Sequence, residues 1–258
     1  MAGRSQLNAT NRFTGLADIY ARYRPDYPSS ALDCIQARCD LGPQSLVADI
    51  GCGTGISTRL FAARGIQVLG IEPNADMRRL AEAELVAHGY PAPSYRPGSA
   101  EATGLPDNYV DAVLAAQAFH WFDPDAALRE FYRILKPGGG VALMWNERAE
   151  SDPCTADYGA VIRTTPDAAA VEAPRSRAGE PLLASPLFTA GERLIFAHEQ
   201  ALDEECLLGR AFSASYAPRE PAAADAFGAE LRRVFARHHR NGKVVLRYET
   251  SVYLARRR

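Results

Sequence analysis

Three features of this 258-residue chain predict an α/β fold built on a doubly wound, mostly parallel sheet with helices on both faces. Strand-like and helix-like segments alternate from Leu46 to Trp145. The strand-like segments are short apolar runs, as suits strands buried on both faces. A glycine-rich turn, Gly51-Cys52-Gly53-Thr54-Gly55, joins a strand directly to a helix.

The elements follow in order. Residues 1 to 12 are polar and irregular, and fraying is expected there. Ala17 to Pro28 interleaves aromatics with arginines, which suggests a lid, ahead of a helix capped by Ser29 or Ser30. Leu46 to Ile50 is the first strand, and Ile56 to Arg64 has helical spacing. Gln67 to Ile71 is the second strand, followed by an amphipathic helix from Asn74 to Val86 with Met77, Leu80 and Leu85 on its apolar side. Pro93 to Pro97 reads as the third strand and Val110 to Ala116 as the fourth. Asp123 caps a helix that Pro124 opens and that runs to about Leu135. Lys136 to Gly140 is a turn, and Val141 to Trp145 the fifth strand. Between Ala149 and Glu192 the text turns to Ala, Pro, Asp and Arg with weak periodicity, so short helices or loops are expected. Arg193 to Leu202 is the sixth strand, with helices from Asp203 to Phe212 and Ala222 to His239. After the Asn241-Gly242 turn, Lys243 to Ala255 is a closing strand.

The glycine spacing narrows the ligand. A dinucleotide turn needs G-x-G-x-x-G, but Ile56 occupies the third glycine position and Gly55 falls one residue early. That favours a ligand with an adenosine and no phosphates. Glu72 ends the second strand about 20 residues beyond the turn, where a carboxylate accepts from ribose hydroxyls.

With Asp49-Ile50-Gly51-Cys52-Gly53-Thr54-Gly55, then Gly70-Ile71-Glu72-Pro73, then Lys136-Pro137-Gly138-Gly139, the chain resembles the class I S-adenosylmethionine-dependent methyltransferases of the small-molecule branch. The resemblance is good from about Phe13 to Arg148 and loose beyond. It implies a Rossmann-like sheet of seven strands, the last inserted antiparallel between the fifth and sixth. It also implies S-adenosylmethionine as cofactor, held around Asp49, Gly51, Gly53, Glu72, Pro73 and Gln117. Tyr20 and Arg24 are assigned to its methionine end, Met77 to the ribose edge, and Ala100 and Glu101 to the adenine. One domain, residues 1–258, is expected, with residues 1–40 as a lid and 149–192 as a substrate-recognition insertion.

A net charge of −2 gives no basic field to attract nucleic acid or anionic lipid, so a diffusible small acceptor is the expected partner. Neither a signal pattern nor an apolar run of about 18 residues occurs, and a cytoplasmic location is expected. Oligomeric state is not legible. Five cysteines without a C-x-x-C pair predict reduced thiols and no metal site. The cluster Arg232, Arg233, Arg237, His238, His239 and Arg240 reads as the solvated face of an amphipathic helix, although RNA contact is the alternative.

Gln117 to Phe122 follows the fourth strand, where ligands of open α/β sheets bind. His120 in that segment is the candidate general base, with a place in an aromatic wall as its other reading. A carboxylate acceptor would need no base and would call instead on arginines, with Arg148, Arg163, Arg175 and Arg177 as candidates. O-methylation of a small molecule, a carboxylate or a natural-product intermediate, is the expected reaction. RNA or protein methylation is the first alternative, although Gln117-Ala118-Phe119-His120 replaces the Asn-Pro-Pro-Tyr type of sequence common in those enzymes. A non-catalytic cofactor-binding subunit is the second.

Overall fold

In the computed structural model, which describes residues 22–88, 94–166, 168 and 177–258, a seven-stranded sheet has the order β3-β2-β1-β4-β5-β7-β6. Its strands are β1 (Leu46–Ile50), β2 (Gln67–Ile71), β3 (Ser94–Arg96), β4 (Val110–Ala116), β5 (Leu135–Arg148), β6 (Phe188–Leu202) and β7 (Val244–Arg257). β7 alone runs against its neighbours, pairing antiparallel with both β5 and β6. The chain order reverses between β1 and β4, which places the ligand-binding crevice at the carboxyl ends of those strands.

The helices are α1 (Ser29–Arg38), α2 (Ile56–Ala62), α3 (Ala75–His88), α4 (Pro124–Ile134), α5 (Pro153–Arg163), α6 (Glu180–Ala184), α7 (Glu204–Phe212) and α8 (Pro221–His238). Leu32 and Ile35 of α1 and Phe61 of α2 pack on one face of the sheet. Leu128, Phe131 and Ile134 of α4 and Leu182 of α6 pack on the other. A third apolar cluster joins α5, α7 and α8 to the end of β6 and the start of β7, through Tyr158, Leu207, Leu231, Leu202 and Leu246.

Several boundaries differ from the sequence reading. Neither serine caps α1: Pro28 is the N-cap, and its carbonyl accepts from Ala31 N at 3.0 Å. The Lys136–Gly140 turn is absorbed into β5, because Val110 pairs with Leu135 while Ala112 pairs with Gly140. The intervening residues are looped out at Gly138, whose φ of 77° suits glycine. β6 begins at Phe188, five residues early, where the ring is buried against the core. The region read as irregular contains α5, capped by Asp152, whose Oδ1 accepts from Thr155 N at 2.9 Å. The Asn241-Gly242 turn is present, with both residues at positive φ between a bridge from Arg240 to Lys243. Tyr20, Arg175 and the expected frayed residues 1–12 lie outside the described residues.

Candidate active site

Asp49 stands one residue before the end of β1 and is fully buried. Its Oδ2 accepts from Ser57 Oγ and Thr58 Oγ1, both at 2.7 Å, which ties the start of α2 to the strand. Burial raises its pKa to about 6, against the opposing effect of those hydrogen bonds. Its Oδ1 is buried with no hydrogen-bond partner among the described residues.

The glycine turn is shaped by its neighbours. Gly51, at φ 67°, lies where a Cβ would come within 2.8 Å of Ala118 Cβ and 3.0 Å of Phe122 Cζ. The segment after β4 therefore packs directly on the turn. At Gly53, φ 55°, a Cβ would meet nothing within 4 Å among the described residues, so these leave the backbone bare.

Glu72 joins this turn to the next one. Its Oε2 accepts from Gly53 N at 3.0 Å and its Oε1 from Asn74 N at 2.9 Å. Burial raises its pKa, and these two backbone bonds oppose that rise. Each oxygen keeps a second lone pair for a diol. Pro73 is exposed beside it, and Met77 is buried in the first turn of α3. Asn74 caps that helix, its Oδ1 accepting from Met77 N at 3.0 Å. The Ala100 side chain belongs to the core, which leaves its backbone as the group that could meet an adenine. Glu101 has a structural partner: its Oε1 accepts from Asp123 N, at the cap of α4, at 3.0 Å.

Gln117 adopts φ 56°, a strained left-handed conformation for a non-glycine residue. It turns the chain from β4 into the short 3-10 turn Phe119–Trp121. Its Nε2 donates to Asn146 O on β5 at 3.3 Å. His120 Nδ1 accepts from the indole Nε1 of buried Trp145 at 3.3 Å. Because indole N–H only donates, this bond fixes the neutral tautomer with its proton on Nε2. In that state His120 can donate to an acceptor oxygen, but its basic nitrogen is already engaged.

Arg24 Nη2 donates to Ser213 O, after α7, at 3.3 Å, which ties it to the β6 side of the sheet. Asn146 Nδ2 donates to Asp26 O at 2.8 Å and Gln200 Nε2 to Tyr23 O at 3.1 Å. Residues 23–26 thus cross the carboxyl ends of β5 and β6. Of the arginine candidates, Arg163 pairs with Glu150, and exposed Arg177 pairs with Glu180 at 2.7 Å. Arg148 is more enclosed, with Glu150 at 3.6 Å. The basic stretch of α8 has acidic partners: Arg232 meets Glu204 at 3.3 Å, while Arg237 and His238 both meet Asp157 at 2.8 Å.

Sequence reasoning passed over Arg210. It is 9% exposed on α7, and the available signal was a single cation inside the apolar run Leu207-Leu208-Gly209-Arg210-Ala211-Phe212. Among the described residues, no helix is long and apolar enough to cross a membrane, and no group of three His, Cys, Asp or Glu side chains could hold a metal.

Residues 48–143 match the family model of a methyltransferase domain. An uncharacterised methyltransferase of Mycobacterium bovis is 36% identical over 158 residues, 61% of each chain. The malonyl-[acyl-carrier protein] O-methyltransferase of Serratia marcescens is 34% identical over 144 residues, 53% of this chain and 54% of that protein. These alignments span little more than half to three-fifths of the relatives' own length. A solved structure described as a methyltransferase from an antibiotic biosynthesis pathway of Anabaena variabilis superposes with a TM-score of 0.61. It covers 90% of this chain and 98% of its own at 22% identity, which speaks to the fold. Residues 48–143 are thus matched as a methyltransferase domain, and the motif, the sheet order and the relatives resemble those of the class I, S-adenosylmethionine-dependent methyltransferases.

Proposed function

We propose that the protein transfers a methyl group from S-adenosylmethionine to an oxygen of a small-molecule acceptor. The observation that carries the cofactor assignment is Glu72, whose carboxylate is locked by Gly53 N and Asn74 N while retaining lone pairs for ribose. The buried, unpartnered Oδ1 of Asp49 offers a site for a cationic ligand group, and the bare backbone at Gly53 lets the ligand approach. Ala100 and Glu101 would border the adenine, and the lid containing Tyr20 and Arg24 would cover the methionine end. Residues 1–40 and 149–192 would together frame the acceptor.

When bound, S-adenosylmethionine would supply an electrophilic methyl carbon for the acceptor oxygen, with its sulfur as the leaving group that keeps the electron pair. The protein's share is to orient the two partners and exclude water, which can contribute roughly 7 to 11 kcal/mol. The Trp145–His120 bond favours an acceptor that arrives already deprotonated, as a carboxylate does at neutral pH. His120 then serves as a hydrogen-bond donor in the wall of the site.

Titration with S-adenosylhomocysteine tests the cofactor assignment. Native protein should bind it at micromolar concentration, and Glu72→Ala should bind at least tenfold more weakly, through loss of charge-assisted bonds worth about 1.5–3 kcal/mol. Equal binding would remove Glu72 from the site. Incubation with S-adenosylmethionine and panels of small acids, phenols and amines should release S-adenosylhomocysteine with acids. Turnover confined to amines would overturn the oxygen assignment.

A further inference from the structure

We propose that Arg210 is the centre of an anion-binding subsite for a carboxylate group of the acceptor, an inference that rests on the methyltransferase reading and names its substrate class. Arg210 is 9% exposed, and its Nε is buried with no hydrogen-bond partner among the described residues. No carboxylate among those residues forms a salt bridge with it. Its electrostatic neighbours are the phenols of Tyr248, Tyr158 and Tyr216, of which Tyr248 donates its hydroxyl to Gln200 Oε1 at 3.4 Å. Burial pushes the Tyr158 phenol up to about 12, so that ring is neutral and adds no counter-charge.

An arginine held away from water without a counter-charge is costly, and a matching anion offsets that cost. The surrounding groups favour an anion further. Arg148 stands close enough to influence the same Tyr158 phenol, and its own charge is paired with Glu150 at 3.6 Å. Arg24 reaches the neighbouring Ser213 carbonyl from the segment crossing the sheet. Asp26, two residues beyond Arg24, is paired with His198 at 3.2 Å. The guanidinium fork itself provides the paired donors that two carboxylate oxygens need.

The location suits an acceptor. Arg148 and Tyr248 are direct partners across β5 and β7. Arg148 lies two residues beyond Asn146, about 7 Å along the strand, and the Asn146 carbonyl is bonded to Gln117 beside the glycine turn. Arg210 is thus linked, through Tyr248 and its β5 partner Arg148, to the strand that leads back to Gln117.

The test is calorimetric titration of protein loaded with S-adenosylhomocysteine, using succinate, glutarate and benzoate, with the corresponding amides as neutral controls. At least one acid should bind with a submillimolar Kd and its amide at least tenfold more weakly. Arg210→Gln should erase that preference and leave S-adenosylhomocysteine affinity unchanged, while Arg210→Lys should retain part of it. Should Arg210→Gln fail to fold, Tyr248→Phe provides the second variant, and it should weaken acid binding several-fold. Acids and amides binding alike, no binding of either, or an undiminished preference in folded Arg210→Gln would each overturn the subsite. Failure of S-adenosylhomocysteine to bind, with the acid preference intact in unloaded protein, would overturn the methyltransferase reading and leave the anion site standing.

Discussion

Asp49 is a carboxylate placed where folding alone would favour a neutral group. Its pKa of about 6 in the folded protein lies above its ordinary value of 3.8. The folded state therefore holds the proton more tightly, and the associated stability is fully present below about pH 4 and is lost as pH rises through 6. The shift corresponds to roughly 3 kcal/mol. Asp49→Asn keeps an oxygen for Ser57 and Thr58 but cannot ionise. Relative to the native protein, this variant should gain up to about 3 kcal/mol between pH 4 and pH 7, measured as the difference in urea unfolding free energy. A difference that stays flat with pH would place the titration elsewhere. S-adenosylhomocysteine affinity should fall in the same variant, because the buried oxygen offered to the ligand is replaced by an N–H donor. At this scale Asp49, Gly51, Gly53 and Glu72 were legible in the sequence because they act within about two dozen residues of one another. Arg210 was not: Tyr158 comes from α5 and Tyr248 from β7, and only the folded chain surrounds the cation with phenols.

The glycine turn separates two kinds of constraint within one element. Gly51 is required by the protein itself, since an added Cβ would collide with Ala118 and Phe122. Gly51→Ala should therefore cost more than about 2 kcal/mol, from the left-handed backbone and the overlap together, as read by chemical denaturation. Gly53 has the same backbone demand but open space around its Cβ position. Gly53→Ala should cost about 1–2 kcal/mol while reducing S-adenosylhomocysteine affinity at least tenfold in calorimetry. Undiminished affinity would mean that the ligand does not approach this backbone. Element boundaries were readable where a side chain fixes a helix start, as with Asp123-Pro124. The same Asp-Pro signal at Asp152-Pro153 begins α5, yet weak periodicity and alanine-rich surroundings concealed it. β6 was read too short because alternation fails in its first residues, where its pairing with β7 shifts register between Thr189 and Glu192.

Across the whole molecule, the sheet supplies a fixed floor and the third apolar cluster supplies a separate wall. The parallel strands β1, β2 and β4 place Asp49, Glu72 and Gln117 at one end of the sheet. α5, α7 and α8 gather against β6 and β7, beside the proposed acceptor subsite. Residues 23–26 bridge these two regions through Asn146, Gln200 and Ser213. A cofactor bound to this frame stabilises the native state because unfolding disperses its contacts among β1, β2 and the segment after β4. At a concentration one hundred times its Kd, S-adenosylhomocysteine should add about 2.7 kcal/mol. The melting temperature should rise by several degrees, roughly 2–4 °C for each kcal/mol in a domain of this size. NADH at the same concentration should leave it unchanged, because the turn lacks the third glycine of the dinucleotide-binding pattern. Stabilisation by NADH comparable to that by S-adenosylhomocysteine would mean that the spacing of Gly51, Gly53 and Gly55 does not discriminate between the two ligand classes.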